Sequence, residues 1–280
     1  MTPKHGLLSS IRRMVSQIAA NDSSLLRSSV VSVEGLSIYT VVGGDGPPVV
    51  LVHGFGVSGG YMLPLARILA ETQSVLVPDL PGHGRSASTS GVWGLPELAR
   101  ILGAWLETAG VREPILVANS MGCQVATMLA VARPSLVGAL VLVSPTVDPA
   151  RRSRRQQMFG LLRAAAREPS SMTRLAARDA MTADPRRLAA VARSVIEDPI
   201  ENRLPLVRQP TIVIHGEADT LITLEWAERV AALLPRGRLV VVPGATHVVH
   251  YTRPEVVADL VQGLVEERLA EPERARFQPL

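Results

Sequence analysis

From Val30 onward the apolar residues fall into short runs, separated by stretches in which they recur every three or four positions. Val30–Val33 and Leu36–Val42 flank Glu34-Gly35 and predict a β-hairpin, closed off by the turn sequence Gly43-Gly44-Asp45-Gly46-Pro47-Pro48. Val49–Val52 is continuously apolar, the signature of a strand covered on both faces in a parallel sheet. Ser74–Val77, Ile115–Ala118, Ala139–Val143, Thr211–Ile214 and Arg238–Val242 repeat it. Between these runs, Leu63–Glu71, Leu95–Ala109, Met121–Ala132, Leu224–Leu234 and Pro254–Leu269 carry the helical beat. Such alternation builds βαβ units, so the pattern predicts an α/β fold: a mostly parallel sheet with helices on both faces, formed by residues 29–143 and 208–272.

Two stretches stand outside the alternation. Nearly seventy residues separate Val143 from Thr211 with no strand signature, and three helical pieces fill them, at 149–167, 170–181 and 185–197, parted by Pro169, Pro185 and Pro199. So long an excursion from a compact domain is not expected to be structureless, and residues 144–207 read as an inserted helical cap, or lid, over a site. At the other end, residues 1–28 form an extension in which Leu8, Ile11, Val15 and Ile18 predict a short amphipathic helix. Its polar face is Ser-rich rather than strongly basic, which favours docking on the main domain, or partial disorder, over peripheral contact with a membrane surface. No A-x-A-like cleavage site follows it, so a secretory signal is not expected.

Composition narrows the classes of function. The chain has 280 residues, of which 47% are hydrophobic and 19% charged, enough for a substantial core. Apolar runs reach only about eight residues against the ~20 a transmembrane helix needs. A single cysteine, Cys123, rules out an internal disulfide and a Cys-based zinc cluster, and it suits a reducing cytoplasm. The six histidines show no H-x-x-x-H or H-E-x-x-H spacing, so no metal site is expected. Aromatics at 3% argue against a base-stacking nucleic-acid module. The net charge of +4 is uneven: Ser144–Val207 holds twelve Arg against seven Asp and Glu, a balance of +5, which leaves −1 for the rest. No nucleic-acid motif accompanies these arginines. They read as a solvated helical face or as a positive rim attractive to an anionic substrate or membrane.

Candidate chemistry gathers where the parallel strands end, the edge at which open sheets bind ligands. Strand 115–118 runs through Asn119-Ser120-Met121-Gly122 straight into a helix, a strand–turn–helix context that presents a serine hydroxyl on a sharp turn. Ala118 and Gly122, two residues either side of the serine, let strand and helix approach closely. Serine needs a base, and the base an orienting carboxylate. Strand 211–214 ends in His215-Gly216-Glu217-Ala218-Asp219, and strand 238–242 in Pro243-Gly244-Ala245-Thr246-His247. The order Ser120, Asp219, His247, with gaps of 99 and 28 residues, is that expected for this architecture. The loop His53-Gly54-Phe55-Gly56 brings backbone amides to the same edge, and the N–H groups of Phe55 and Met121 form the natural oxyanion pair.

Five segments in family order resemble the α/β-hydrolase superfamily: His53-Gly54-Phe55-Gly56, Asp79-Leu80-Pro81-Gly82-His83-Gly84-Arg85-Ser86, Asn119-Ser120-Met121-Gly122, Gly216-Glu217-Ala218-Asp219 and Gly244-Ala245-Thr246-His247. Together they cover roughly Val30 to Leu269. The resemblance implies a Ser120–His247–Asp219 triad, a covalently modified serine, a small-molecule substrate and no cofactor. Ala118 departs from the glycine usual in the elbow. Within the superfamily, the Asn119-Ser120-Met121-Gly122 elbow is similar to that of the meta-cleavage-product C–C bond hydrolases. Those enzymes carry a more Gly- and Pro-rich loop where this chain has Phe55-Gly56-Val57-Ser58, and tryptophan where it has Val248. Small to medium esters or lactones are therefore the expected substrates, a meta-cleavage dienoate the alternative, and a slow-turnover ligand-binding protein on the same fold a third possibility. Oligomeric state is not legible.

Each assignment has a plainer competitor. Ser120 suits an ordinary helix N-cap. Asp219 could cap the helix at 224–234, with Glu217 as a rival carboxylate. His53 is expected to shape its loop, and Asp79 to satisfy backbone donors. Cys123 reads as a small buried hydrophobe. His53, Gly54, Asn119, Val248 and Met158 are candidate substrate-binding residues, although Met158, with Phe159, Leu161 and Leu162, fits either cap core or an acyl pocket.

Overall fold

The computed structural model describes residues 25–86 and 93–276. The amphipathic helix expected around Leu8–Ile18 lies outside them. An eight-stranded sheet runs in the order β1-β2-β4-β3-β5-β6-β7-β8: β1 Leu26–Val33, β2 Leu36–Gly43, β3 Pro48–Val52, β4 Ser74–Pro78, β5 Ile115–Asn119, β6 Ala139–Val143, β7 Thr211–Gly216 and β8 Gly237–Val242. The hairpin β1–β2 is antiparallel and β2 joins β4 antiparallel, while every pairing from β4 to β8 is parallel. The hairpin turns on Glu34 and Gly35, both at positive φ (49° and 78°), a two-residue geometry whose twist matches the flanking strands. β1 begins at Leu26, four residues before the alternation becomes visible, so residues 26–28 belong to the sheet rather than to the extension. The polar run Arg27-Ser28-Ser29 hides the pattern there.

The helices are α1 Leu63–Leu69, α2 Leu95–Thr108, α3 Met121–Ala132, α4 Arg154–Ala165, α5 Ser170–Thr182, α6 Pro185–Glu197, α7 Ile200–Arg203, α8 Leu224–Leu233, α9 Val249–Thr252 and α10 Pro254–Arg276. Alternate residues of the central strands feed two separate cores. Val50, Val52, Leu116, Ala118, Leu140 and Leu142 join α2, α3 and α8 on one face, and Val49, Leu51, Val117, Val141 and Val143 join α1 and α10 on the other. Val49 to Val52 are all 0% exposed, which explains why the strand lacks polar alternation; each such side chain contributes roughly 1.5–3 kcal/mol on burial.

α4 to α7 fill the interval between β6 and β7. Pro169 and Pro185 fall at the starts of α5 and α6, and Ser153 and Asp184 cap α4 and α6 by accepting from the Gln156 and Arg186 amides. The segment is fastened to the main body at several points. Ser194 Oγ accepts from Leu95 N (2.9 Å), and buried Gln124 donates to Val195 O (3.0 Å) and Asp198 Oδ2 (2.9 Å). Arg203 then pairs with both oxygens of Asp198 (2.9 and 2.8 Å), so this buried carboxylate keeps its counter-charge. Among the described residues, no helix is long and apolar enough to cross a membrane.

Candidate active site

Ser120 sits at the junction of β5 and α3 with φ 55° and ψ −120°, a backbone conformation that costs free energy in any residue but glycine. The turn closes because Gly122 follows: a Cβ there would meet Val52 O at 2.6 Å and His53 O at 2.8 Å. Ser120 stands at the N-cap position, yet its side chain makes no capping hydrogen bond, and the residue is only partly buried. The hydroxyl is thus not committed to holding the helix.

Asp219 and His247 meet at the ends of β7 and β8. His247 Nδ1 lies 2.8 Å from Asp219 Oδ2, with the side chains 10% and 0% exposed. Oδ1 of Asp219 accepts from the amides of Leu221 (2.8 Å) and Ile222 (3.3 Å), which fixes the carboxylate. Burial raises the Asp219 pKa, but the His247 charge and hydrogen bond, the Leu221 amide and the nearby Ser144 hydroxyl outweigh it and hold the carboxyl below its usual range. Burial likewise lowers the His247 pKa, and the Asp219 charge, the hydrogen bond to it and Glu168 more than offset that, so the imidazole titrates above its ordinary 6.5. The ring is thereby held with Nδ1–H toward the carboxylate and Nε2 free to accept a proton. Glu217, the rival carboxylate, is exposed and accepts from Gly244 N (2.9 Å) instead.

The serine turn is tied to the other loops through Asn119 and Tyr61. Asn119 Oδ1 accepts from the Tyr61 hydroxyl (2.8 Å), and its amide donates to Val143 O (3.1 Å) and His247 O (3.2 Å). Tyr61 in turn accepts from Gly54 N (2.6 Å). This chain of bonds joins the loops after β3, β5 and β8, the ones that carry Phe55, Ser120 and His247. A Cβ on Gly54 would lie 3.3 Å from the Cβ of Ser120, so the 53–56 loop packs directly on the serine. Among the described residues neither the Phe55 nor the Met121 amide has a hydrogen-bond partner, and Met121 opens α3, where N–H groups lack intrahelical acceptors.

The candidate substrate-binding residues fare differently. His53 is fully buried; Nε2 accepts from Leu80 N (2.8 Å), Nδ1 faces Gly54 O (2.8 Å), and burial lowers its pKa to about 4. Both ring nitrogens are occupied by backbone, so His53 shapes its loop. Asn119 and Gly54 are similarly spent on the clamp. Val248 is 4% exposed and packed in the core. Met158 is 60% exposed on α4, and Phe159 and Leu162 are each 62% exposed, so these side chains form neither a cap core nor a buried pocket lining. Asp79 accepts from Gly59 N (2.7 Å) and Arg85 N (2.8 Å), fixing the loop around it. Cys123 is fully buried, donates toward Ala118 O (3.3 Å), and burial pushes its thiol pKa up, which leaves it inert.

Three residues here escape a sequence reading. Tyr61 and Ser144 carry no motif. Glu168 is the one acidic residue between Asp148 and Asp179, and that isolation within an arginine-rich stretch is its only signal. It accepts from Thr246 Oγ1 (2.7 Å), next to the histidine. Burial raises its pKa more than the Thr246 hydroxyl, the His247 charge and the His247 amide lower it. The segment between β6 and β7 therefore touches the loops after β3, β7 and β8: Asp179 Oδ2 accepts from Ser58 N (2.7 Å), Gly160 packs at Leu221, which a Cβ would approach to 2.8 Å, and Glu168 meets Thr246.

Residues 49–260 match the family described as the alpha/beta hydrolase family. The polyketide synthase ThaQ of Burkholderia thailandensis is 28% identical over 251 residues, which is 81% of this chain but 12% of the synthase, so the chain spans only a small part of that relative. A pimeloyl-(acyl-carrier protein) methyl ester esterase of Vibrio vulnificus is 26% identical over 238 residues, 76% of this chain and 91% of the esterase. Among solved structures, a membrane phospholipase A described as a bacterial virulence factor superposes with a TM-score of 0.75 at 26% identity, covering 94% of this chain and 91% of the other.

Proposed function

We propose, from the premise that this chain belongs to the alpha/beta hydrolase family and is a hydrolase, that it cleaves small to medium carboxylic esters or lactones through a covalent acyl-enzyme on Ser120. In this reading His247 Nε2 takes the proton of the Ser120 hydroxyl as the oxygen attacks the carbonyl carbon. The developing oxyanion is received by the amides of Phe55 and Met121. Asp219 keeps the imidazole in the reactive tautomer and stabilises its positive charge. The tetrahedral intermediate collapses with loss of the alcohol, which leaves with the proton held by His247. Water, deprotonated by the same nitrogen, then attacks the acyl carbon and restores the free serine.

The observation that carries this reading is the 2.8 Å contact between His247 and the fully buried Asp219 carboxylate, together with an uncapped serine on a positive-φ turn whose neighbour Asn119 donates to His247 O (3.2 Å). The strain at Ser120 is otherwise unexplained, since a residue serving as a helix cap would use its side chain. The esterase and phospholipase relatives support ester chemistry, and a cap formed by 144–207 would account for contacts from that segment to the loops after β3, β7 and β8. The test is a substrate panel: p-nitrophenyl esters of graded chain length, lactones and a meta-cleavage dienoate, each against wild type and Ser120→Ala. Ester or lactone turnover that falls several orders of magnitude in Ser120→Ala supports the proposal. Preferred turnover of the dienoate would move it to C–C bond hydrolysis, and equal activity in the two proteins would remove Ser120 as the nucleophile.

A further inference from the structure

We infer that the outer face of α4 is a docking surface for an anionic lipid membrane. Met158 and Leu162 stand one turn apart and Phe159 lies beside them, so three large apolar side chains share one face of the helix, each about three-fifths exposed. Burying that much apolar surface in a partner is favourable, and leaving it in water is unusual in a monomeric protein. The opposite face is already used: Ala164 is buried, and Gly160 seats the helix against Leu221, two residues from Asp219.

Charge decides the partner. Arg154, Arg155 and Arg163 flank the apolar group, and no acidic residue lies between Asp148 and Glu168. Among the described residues none of the three arginines is in an ion pair; Arg163 rests over the Phe159 ring at 5.7 Å from its centroid. Apolar side chains ringed by unpaired arginines are what an interfacial helix presents, the former entering the acyl boundary and the latter meeting phosphate headgroups. An acidic protein would share the charge preference. A protein partner, however, needs a shape to fill, whereas the outer face of α4 is a single exposed helical stripe that a fluid lipid surface accommodates without complementarity. The surface is independent of which bond the enzyme cleaves.

The experiment uses the full chain with extruded vesicles of phosphatidylcholine, with or without phosphatidylglycerol, measured by sedimentation at low and high salt. Wild type is expected to sediment with the anionic vesicles, less so at high salt, and not with phosphatidylcholine alone. Two variants separate the contributions: Arg154→Glu with Arg155→Glu and Arg163→Glu, and Phe159→Ser with Leu162→Ser. Each should weaken partitioning at least about tenfold, with p-nitrophenyl acetate hydrolysis and the thermal midpoint unchanged. Both leave residues 1–24 intact, so binding through that segment would survive in them and overturn the proposal. Wild type that ignores anionic vesicles would also overturn it. A dimer that only the apolar variant dissociates, without vesicle binding, would assign the face to a second copy of this chain.

Discussion

Replacing Asp219 by Asn tests the electrostatic half of the proposed mechanism with little change of shape. The carboxylate is 0% exposed and 2.8 Å from Nδ1, so the imidazolium formed during catalysis has a full negative charge about 4 Å from its centre. At the effective dielectric of about 20 that suits such sites, that attraction amounts to roughly 4 kcal/mol, or about three orders of magnitude in kcat. The amide can also turn its NH2 toward Nδ1 and favour the wrong tautomer, which takes the expected loss to about 10⁴-fold, the size of the same change in serine-protease triads. The pH profile supplies an independent sign. In wild type the imidazole titrates above 6.5 because Asp219 and Glu168 outweigh burial, so kcat/KM should fall on acidification through a point above 6.5. Without the Asp219 charge, burial dominates and the acid limb should move below its wild-type position. The assay is p-nitrophenyl butyrate hydrolysis from acid to mildly alkaline pH, with thermal melts to show that the variant is folded. A loss under about tenfold, with an acid limb that stays in place, would refute the reasoning.

Two further substitutions probe the scaffold. Tyr61→Phe removes the hydroxyl that joins Gly54 N to Asn119, leaving a buried amide unpaired at a cost of about 1–3 kcal/mol; kcat should drop roughly 10- to 100-fold with KM little changed, read from steady-state kinetics, if that cost falls mainly on the oxyanion loop. Gly122→Ala would set a methyl against the carbonyl oxygens of Val52 and His53, neither of which can swing aside, so the thermal midpoint should fall by about 2–4 °C for each of the expected 1–3 kcal/mol.

The strands were legible because their burial is two-sided. Val49–Val52, Ile115–Ala118 and Ala139–Val143 show as unbroken apolar runs, since odd and even residues feed different cores. The three helical pieces of 149–167, 170–181 and 185–197 correspond to α4, α5 and α6, with proline marking the starts of the last two. The start of β1 is hidden by three polar residues, Arg27, Ser28 and Ser29, which pair in register with Val42, Val41 and Thr40. Motif spacing located the loops of the site but not which side chains face inward. His53 and Asn119 lie in motifs and Val248 directly follows one, yet hydrogen bonds and packing claim them. Tyr61 and Glu168 act by contacts with residues 58 and 78 positions away, a kind of relation no local pattern records. Met158 illustrates the converse: an apolar residue on a helical beat predicts a buried face, and here that face points outward.

Trapping the acyl-enzyme is the most direct test of the central claim. Wild type quenched in acid during turnover of a p-nitrophenyl ester, then digested and analysed by mass spectrometry, should carry the acyl group on the peptide containing Ser120, and the Ser120→Ala protein should carry none. Turnover that continues while Ser120 stays unmodified, or an acyl group found on another residue, would contradict the account.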